Sequence, residues 1–435
     1  MIRTALLSLS VATAAHAGPL PDPLTAEDFP PTVPAQVKLG QLLFHDKILS
    51  GNRNIACSTC HSLDHGGGDG LSLGIGEGGR GIGPERTTGD GPDRIRKRIP
   101  RNAPGLWNLG ARQIRVMFHD GRLEVSDAYE NGFDSPAEEW LPDGLPNILA
   151  AQAAFPIVAQ FEMAGNPREN EIAGAIHDRI DAAWPLIAKR VRTIPAYGQM
   201  FVEAFPRMTT PEQITIVEIA TALGAYMSEE FRVFDTPFDA YLAGDGTALT
   251  DLQKDGMALF YGKAACDTCH SGTLLSDQEF HALALPGFGP GRTRRFDPLP
   301  RDQGRIGASD RLEDAYRFRT PMLRNVTRTA PYGHNGAYPT LRGIVEHHLD
   351  PLGALDRWEI AQANLPKAPW LAAVDTAIMT DPTEPGRLRA ALDITPVTLS
   401  NEEIDAILAF LDALTGPQTP RIGRPDTVPS GLEVD

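Results

Sequence analysis

Cys57-Ser58-Thr59-Cys60-His61 and Cys266-Asp267-Thr268-Cys269-His270 repeat one spacing at two distant places in the chain. Two thiols at this spacing can each add to one vinyl group of a haem, while the His that follows reaches the iron. A redox dithiol and half of a zinc site are the rival readings. The second copy, the His directly after each pair, and the export signal described below favour haem. These are the only four cysteines of the 435 residues, so none is left over for a structural bridge.

The chain around the motifs repeats as well. Leu39-Gly40-x-x-Leu43-Phe44 precedes the first pair, and Asp255-Gly256-x-x-Leu259-Phe260 precedes the second. Each copy closes with a helical pattern. Thr210-Pro211-Glu212-Gln213 carries capping signals ahead of Ile214, Val217, Ala220, Leu223 and Met227. Ser400-Asn401-Glu402-Glu403 does the same ahead of Ile404, Ile407, Leu408 and Leu411. No alternating pattern supports a large sheet. The spacing predicts two mostly α domains with long loops, over 35–240 and 247–416. The six prolines between Pro19 and Pro34 read as an extended lead-in, and 417–435 as a polar, flexible tail. Gly66 to Gly91 contains Gly76-x-Gly78-x-x-Gly81, but no strand precedes it and no helix follows, so it reads as a flexible loop rather than a nucleotide site. Arg94-Ile-Arg96-Lys97-Arg98-Ile-Pro-Arg101 is the one basic run, fit for a solvated turn or for pairing with haem propionates.

A net charge of −16 and a pI near 5.2 argue against binding nucleic acid, which needs clustered positive charge. Residues 1–17 read as a cleavable export signal ending at Ala15-His16-Ala17, and no stretch is long and apolar enough to span a bilayer. A soluble, periplasmic protein is expected.

From Leu39 to Leu414 the chain resembles the bacterial diheme cytochrome c peroxidase family, which includes MauG-like enzymes. The blocks that carry the likeness are Leu39 to Ser50, Arg101-Asn-Ala-Pro-Gly-Leu-Trp-Asn108, Phe118-His-Asp-Gly-Arg122, Gln152-Ala-Ala-Phe-Pro156 through Glu162-Met163, Arg319 to Gly336, and Thr340-Leu341. The resemblance implies two cytochrome c-like domains, each with one covalent haem. The first haem is then peroxidatic, with Gln152, Pro156 and Glu162 in its distal pocket. Glu162 is the candidate proton relay, since splitting an O–O bond needs a proton moved between its two oxygens.

The second haem of the family takes a distal Met or Tyr eight residues after the Thr of a Thr-Leu segment. That count lands here on His348, preceded by His347, with Met322 as another candidate ligand. The family's Trp before the Asp of the Phe118 block is His119 here, so His119 or the neighbouring Trp107 is the candidate electron relay. The resemblance also implies one calcium ion, held by Asn102, Thr329 and Pro331. The expected activity is reduction of hydrogen peroxide at the first haem, with electrons from a small cytochrome c or cupredoxin passing through the second. The alternatives are a MauG-like, peroxide-dependent oxidation of a side chain in a partner protein, and a diheme electron carrier whose first iron is capped by a residue such as His65.

Overall fold

The computed structural model describes residues 18–294, 296–417 and 419–435, so the expected export signal at 1–17 lies outside the described residues. The chain is mainly α, with two helical cores. In the first, α1 (Pro34–Phe44), α2 (Ile148–Ala153) and α3 (Ile216–Glu230) surround Leu39, Leu43, Phe44, Leu223 and Tyr226. In the second, α4 (Asp251–Phe260), α5 (Leu341–Leu349) and α6 (Asn401–Asp412) enclose Phe260, Ile407 and Phe410. The sheets are small: β1 (Val116–Met117), β2 (Leu123–Val125) and β3 (Phe133–Asp134) pair antiparallel, as do β4 (Phe280–His281) and β5 (Phe318–Arg319).

The repeat noted in the sequence has a packing cause. A Cβ on Gly40 would overlap the carbonyl oxygen of Ala222, and a Cβ on Gly256 that of Ala406. In each domain the opening helix therefore crosses the closing helix at a glycine, backbone against backbone. Gly256→Ala must push α4 off α6, and an overpacked core typically loses about 1–3 kcal/mol. Thermal unfolding of the variant should show that loss, and an unchanged midpoint would mean that the crossing can relax freely.

Several expectations are corrected. The capping box at Thr210 closes only a short turn, Pro211–Gln213, and Ile214 is extended. A second box at Thr215 then starts α3, two turn signals in succession that the periodic pattern had merged. The tail is packed on the first domain. Backbone N–H groups of Arg421, Ile422 and Gly423 donate to the Glu230 carboxylate at 2.8–3.1 Å, Ser430 Oγ donates to Asp46, and Val428 is buried in the first core. The lead-in also contributes, since Leu24 and Phe29 are buried there.

The glycine-rich segment is packed rather than loose. Leu71, Leu73 and Ile75 are wholly buried, and Arg86 donates to the carbonyls of Ile75 and Gly76 at 2.7 and 2.8 Å. Leu73 reaches into the second core, and Phe238 packs edge-on against Phe410 there, so the second core already begins within 35–240. The basic run joins the two halves of the chain: Arg98 pairs with Asp375 at 3.0 Å, and Arg101 with Asp302 at 2.7 Å.

Candidate haem sites

One cavity of about 970 Å³ is lined by both cysteine motifs. No disulfide consumes the thiols, and burial pushes those of Cys57, Cys60 and Cys266 up to about 12. His61 Nδ1 lies 2.8 Å from the carbonyl oxygen of Gly67, and His270 Nδ1 lies 3.1 Å from that of Leu275. A carbonyl acceptor at Nδ1 is the arrangement that orients a metal-binding His, and the Pro104 backbone is a further partner of His61. Burial lowers the pKa of both rings, that of His270 to about 4 with a smaller part from His348, so both are neutral imidazoles.

In the second domain, α5 starts at the Thr340 cap and carries both candidate ligands one residue apart. Adjacent helical residues point about 100° apart, so they face different surroundings. His347 is fully buried with both nitrogens engaged, Nδ1 with Tyr338 Oη and Nε2 with the Leu283 carbonyl oxygen, each at 2.7 Å. His348 uses only Nδ1, toward the Ile344 carbonyl oxygen, and its ring lines the cavity with His270. Met322, the other candidate, also lines the cavity and packs against the first core.

In the first domain, Gln152, Pro156 and Glu162 line the cavity together with His61. Glu162 stands on a π-helical turn, Gln160–Ala164, a backbone form found mostly at functional sites. Gly76 lies directly under that turn, where a Cβ would overlap the Phe161 carbonyl oxygen. Burial raises the pKa of Glu162, offset in part by Arg122 and Arg292. His65 stands against Gly83 and is not among the cavity-lining residues.

His119 also lines the cavity; its Nε2 lies 3.1 Å from the Asn102 carbonyl oxygen, and burial followed by the Arg101 charge lowers its pKa to about 4. Asn102 N–H in turn donates to the His334 carbonyl oxygen at 2.9 Å, and the His334 ring stacks on Phe318 with centroids 3.6 Å apart. Trp107 also lines the cavity and packs edge-on against Phe231 at 5.5 Å.

A family model for the di-haem cytochrome c peroxidases matches residues 34–247. The cytochrome-c peroxidase IdrP1 of Denitromonas iodatirespirans is 31% identical over 377 residues, covering 79% of this chain and 82% of that protein. This chain belongs to the di-haem cytochrome c peroxidase family. The cytochrome c551 peroxidase of Pseudomonas aeruginosa is 27% identical, with 94% of this chain and 86% of that protein covered. MauG, the methylamine utilization protein of Methylorubrum extorquens, is 28% identical over 73% of this chain and 70% of its own. The crystal structure of a MauG-like protein associated with microbial copper homeostasis shares the fold, with a TM-score of 0.61 at 24% identity over 96% of this chain and 99% of that one.

The residues fit the two haems of the family. Beyond the thiols and imidazoles, Arg319 is a half-buried guanidinium with no carboxylate paired to it among the described residues, and desolvation lowers its pKa to about 10. Such a cation calls for an anion, and haem carries two carboxylates. Trp107 Nε1 is buried without a hydrogen-bond partner among the described residues and offers a further donor in the cavity. Arg122, Arg292, Arg319 and His334 carried no role in the sequence reading. Arg122, Arg319 and His334 stand inside the blocks that carry the family likeness, while Arg292 lies in a glycine- and arginine-rich loop with no signal of its own.

Proposed function

We propose that this chain is a periplasmic peroxidase that reduces hydrogen peroxide at the haem held by His61, with electrons entering through the haem held by His270. The asymmetry of the two sites carries the reading. His348 faces the cavity beside His270, whereas the cavity around His61 offers Glu162 and Gln152. The haems supply the iron chemistry, and the chain's own groups supply proton movement and orientation. Glu162 takes the proton of the incoming peroxide and returns it to the departing oxygen; Gln152 orients the peroxide by hydrogen bonding and Pro156 shapes the pocket wall. His65, outside the cavity lining, gives the electron-carrier reading no cap for the first haem. The test is oxidation of a reduced small cytochrome c or cupredoxin on adding peroxide. Peroxide consumption that no such donor sustains would move the reading to oxidation of a partner protein's side chain.

Both haems are attached through thioethers, at Cys57 and Cys60 and at Cys266 and Cys269. Two haems per chain should resist extraction into acidified organic solvent, and an extractable haem or a count of one would contradict the attachment. Electrons cross by the groups packed between the sites, His119 and the stacked Phe318 and His334, while Trp107, turned against Phe231, serves the haem pocket. A calcium ion sits at Asn102, Thr329 and Pro331. In support, Asn102 donates through Nδ2 to the Leu71 carbonyl oxygen at 2.7 Å, while its Oδ1 and the carbonyl oxygens of Thr329 and Pro331 accept no hydrogen bond among the described residues. Three oxygens left without donors suit a hard cation.

A further inference from the structure

Asp120 is fully buried, and three guanidinium groups share its carboxylate: Arg101 at 2.8 Å, Arg122 at 2.9 Å and Arg292 at 3.4 Å. Arg101 has a second carboxylate in Asp302, which it holds through Nε and Nη2 at 2.7 and 2.8 Å. Arg122 and Arg292 have no second ion pair among the described residues. Three cations thus meet two anions, and the surplus charge lies with Arg122 and Arg292, both of which line the cavity with Glu162 and Gln152.

The two arginines are held from opposite sides of the domain boundary. Arg122 follows the Phe118 turn, and its guanidinium lies 3.6 Å above the Phe118 ring. Arg292 comes from the second domain, next to Gly291, whose positive φ lets the loop pass close to the Arg301 backbone. Neither position is a haem attachment point, and Arg319 already offers an unpaired cation for a haem carboxylate.

We propose that Arg122 and Arg292 form an anion clamp in the peroxide pocket, gripping the hydroperoxide anion and then the departing oxygen; this rests on the peroxidase reading above. While Glu162 is ionised, its carboxylate balances the surplus charge. When hydrogen peroxide gives one proton to Glu162, the negative charge moves to the hydroperoxide, which the guanidinium groups then balance. As the O–O bond breaks, the far oxygen leaves with the bonding pair and takes the proton back from Glu162 as water. One peroxide, two electrons from the reduced donor protein by way of the haems, and two protons give two waters.

The test uses the haem-loaded protein and fluoride, a small hard anion whose binding at an open ferric haem is read from the visible spectrum. Arg292 is partly exposed, so Arg292→Leu should fold, and Arg292→Lys retains the charge without the planar fork. Fluoride should bind at least about tenfold more weakly to Arg292→Leu than to wild type, as expected for a lost charge-assisted hydrogen bond, with Arg292→Lys between them. Binding of imidazole, a neutral ligand, should stay within about twofold on the same scale. Equal fluoride affinity in wild type and Arg292→Leu overturns the clamp and leaves the peroxidase reading standing. A parallel loss of imidazole binding, or a changed haem content with fluoride affinity intact, also overturns it in favour of a structural or haem-carboxylate role. A wild type with no fluoride response has no open haem, and the peroxidase reading then falls together with the clamp.

Discussion

Glu162→Gln slows the reaction with hydrogen peroxide by about 10²–10⁴-fold while leaving haem content and chemical reduction unchanged. Gln keeps the size and polarity of the side chain and the packing of the π-turn over Gly76, but it can neither take nor return a proton. The pH dependence sharpens the expectation. Glu162 must be ionised to accept the peroxide proton, and burial raises its pKa above that of an ordinary glutamate despite Arg122 and Arg292. The wild-type kcat/KM should therefore fall as the pH drops through that raised value, with the acid limb at higher pH than a solvent-exposed Glu would give. In Glu162→Gln this limb disappears. Stopped-flow mixing with peroxide across the pH range measures both effects, and equal rates for the two proteins would remove Glu162 from the mechanism.

Much of the candidate site was legible because the Cys-x-x-Cys-His pattern is local in sequence. Two thiols and a His within five residues are enough to recognise, and each domain repeats them behind a helix whose glycine lets the closing helix cross. Likewise, the count of eight from Thr340 that the resemblance implies lands on His348, and His348 lines the cavity. What stayed hidden depends on distant contacts. The tail reads as polar and proline-rich, yet the Glu230 carboxylate gathers three of its backbone N–H groups, a partner roughly two hundred residues away that no local pattern announces. The glycine-rich segment looked loose because its order comes from Arg86 bonding its carbonyls and from Leu73 entering the other domain's core. Arg292 was invisible for the same reason, since its meaning lies in Asp120 of the other domain.

His348→Ala should abolish the low-spin signal of the second haem, whereas His347→Ala should leave that signal in place. The two residues are adjacent on α5, but their chemistry differs. Both nitrogens of His347 are engaged, with Tyr338 and with the Leu283 carbonyl, so it is committed to holding α5 against the second core. Among the described residues His348 spends only Nδ1, on the Ile344 carbonyl within its own helix, and that bond fixes the orientation of the ring. Burial lowers its pKa, so at neutral pH it is an uncharged imidazole able to donate a lone pair. If His270 and His348 together hold the second haem, removing His348 would take away one of two imidazoles and leave that haem high-spin. His348→Met restores six ligands but exchanges imidazole for thioether, which raises the potential, on the order of 100 mV within the roughly 0.8 V range that axial ligands span. Magnetic resonance of the oxidised protein together with a redox titration distinguishes these outcomes. If His347→Ala loses the low-spin signal and His348→Ala keeps it, the ligand is His347, and α5 must rotate by about one residue, some 100°, when the haem is in place.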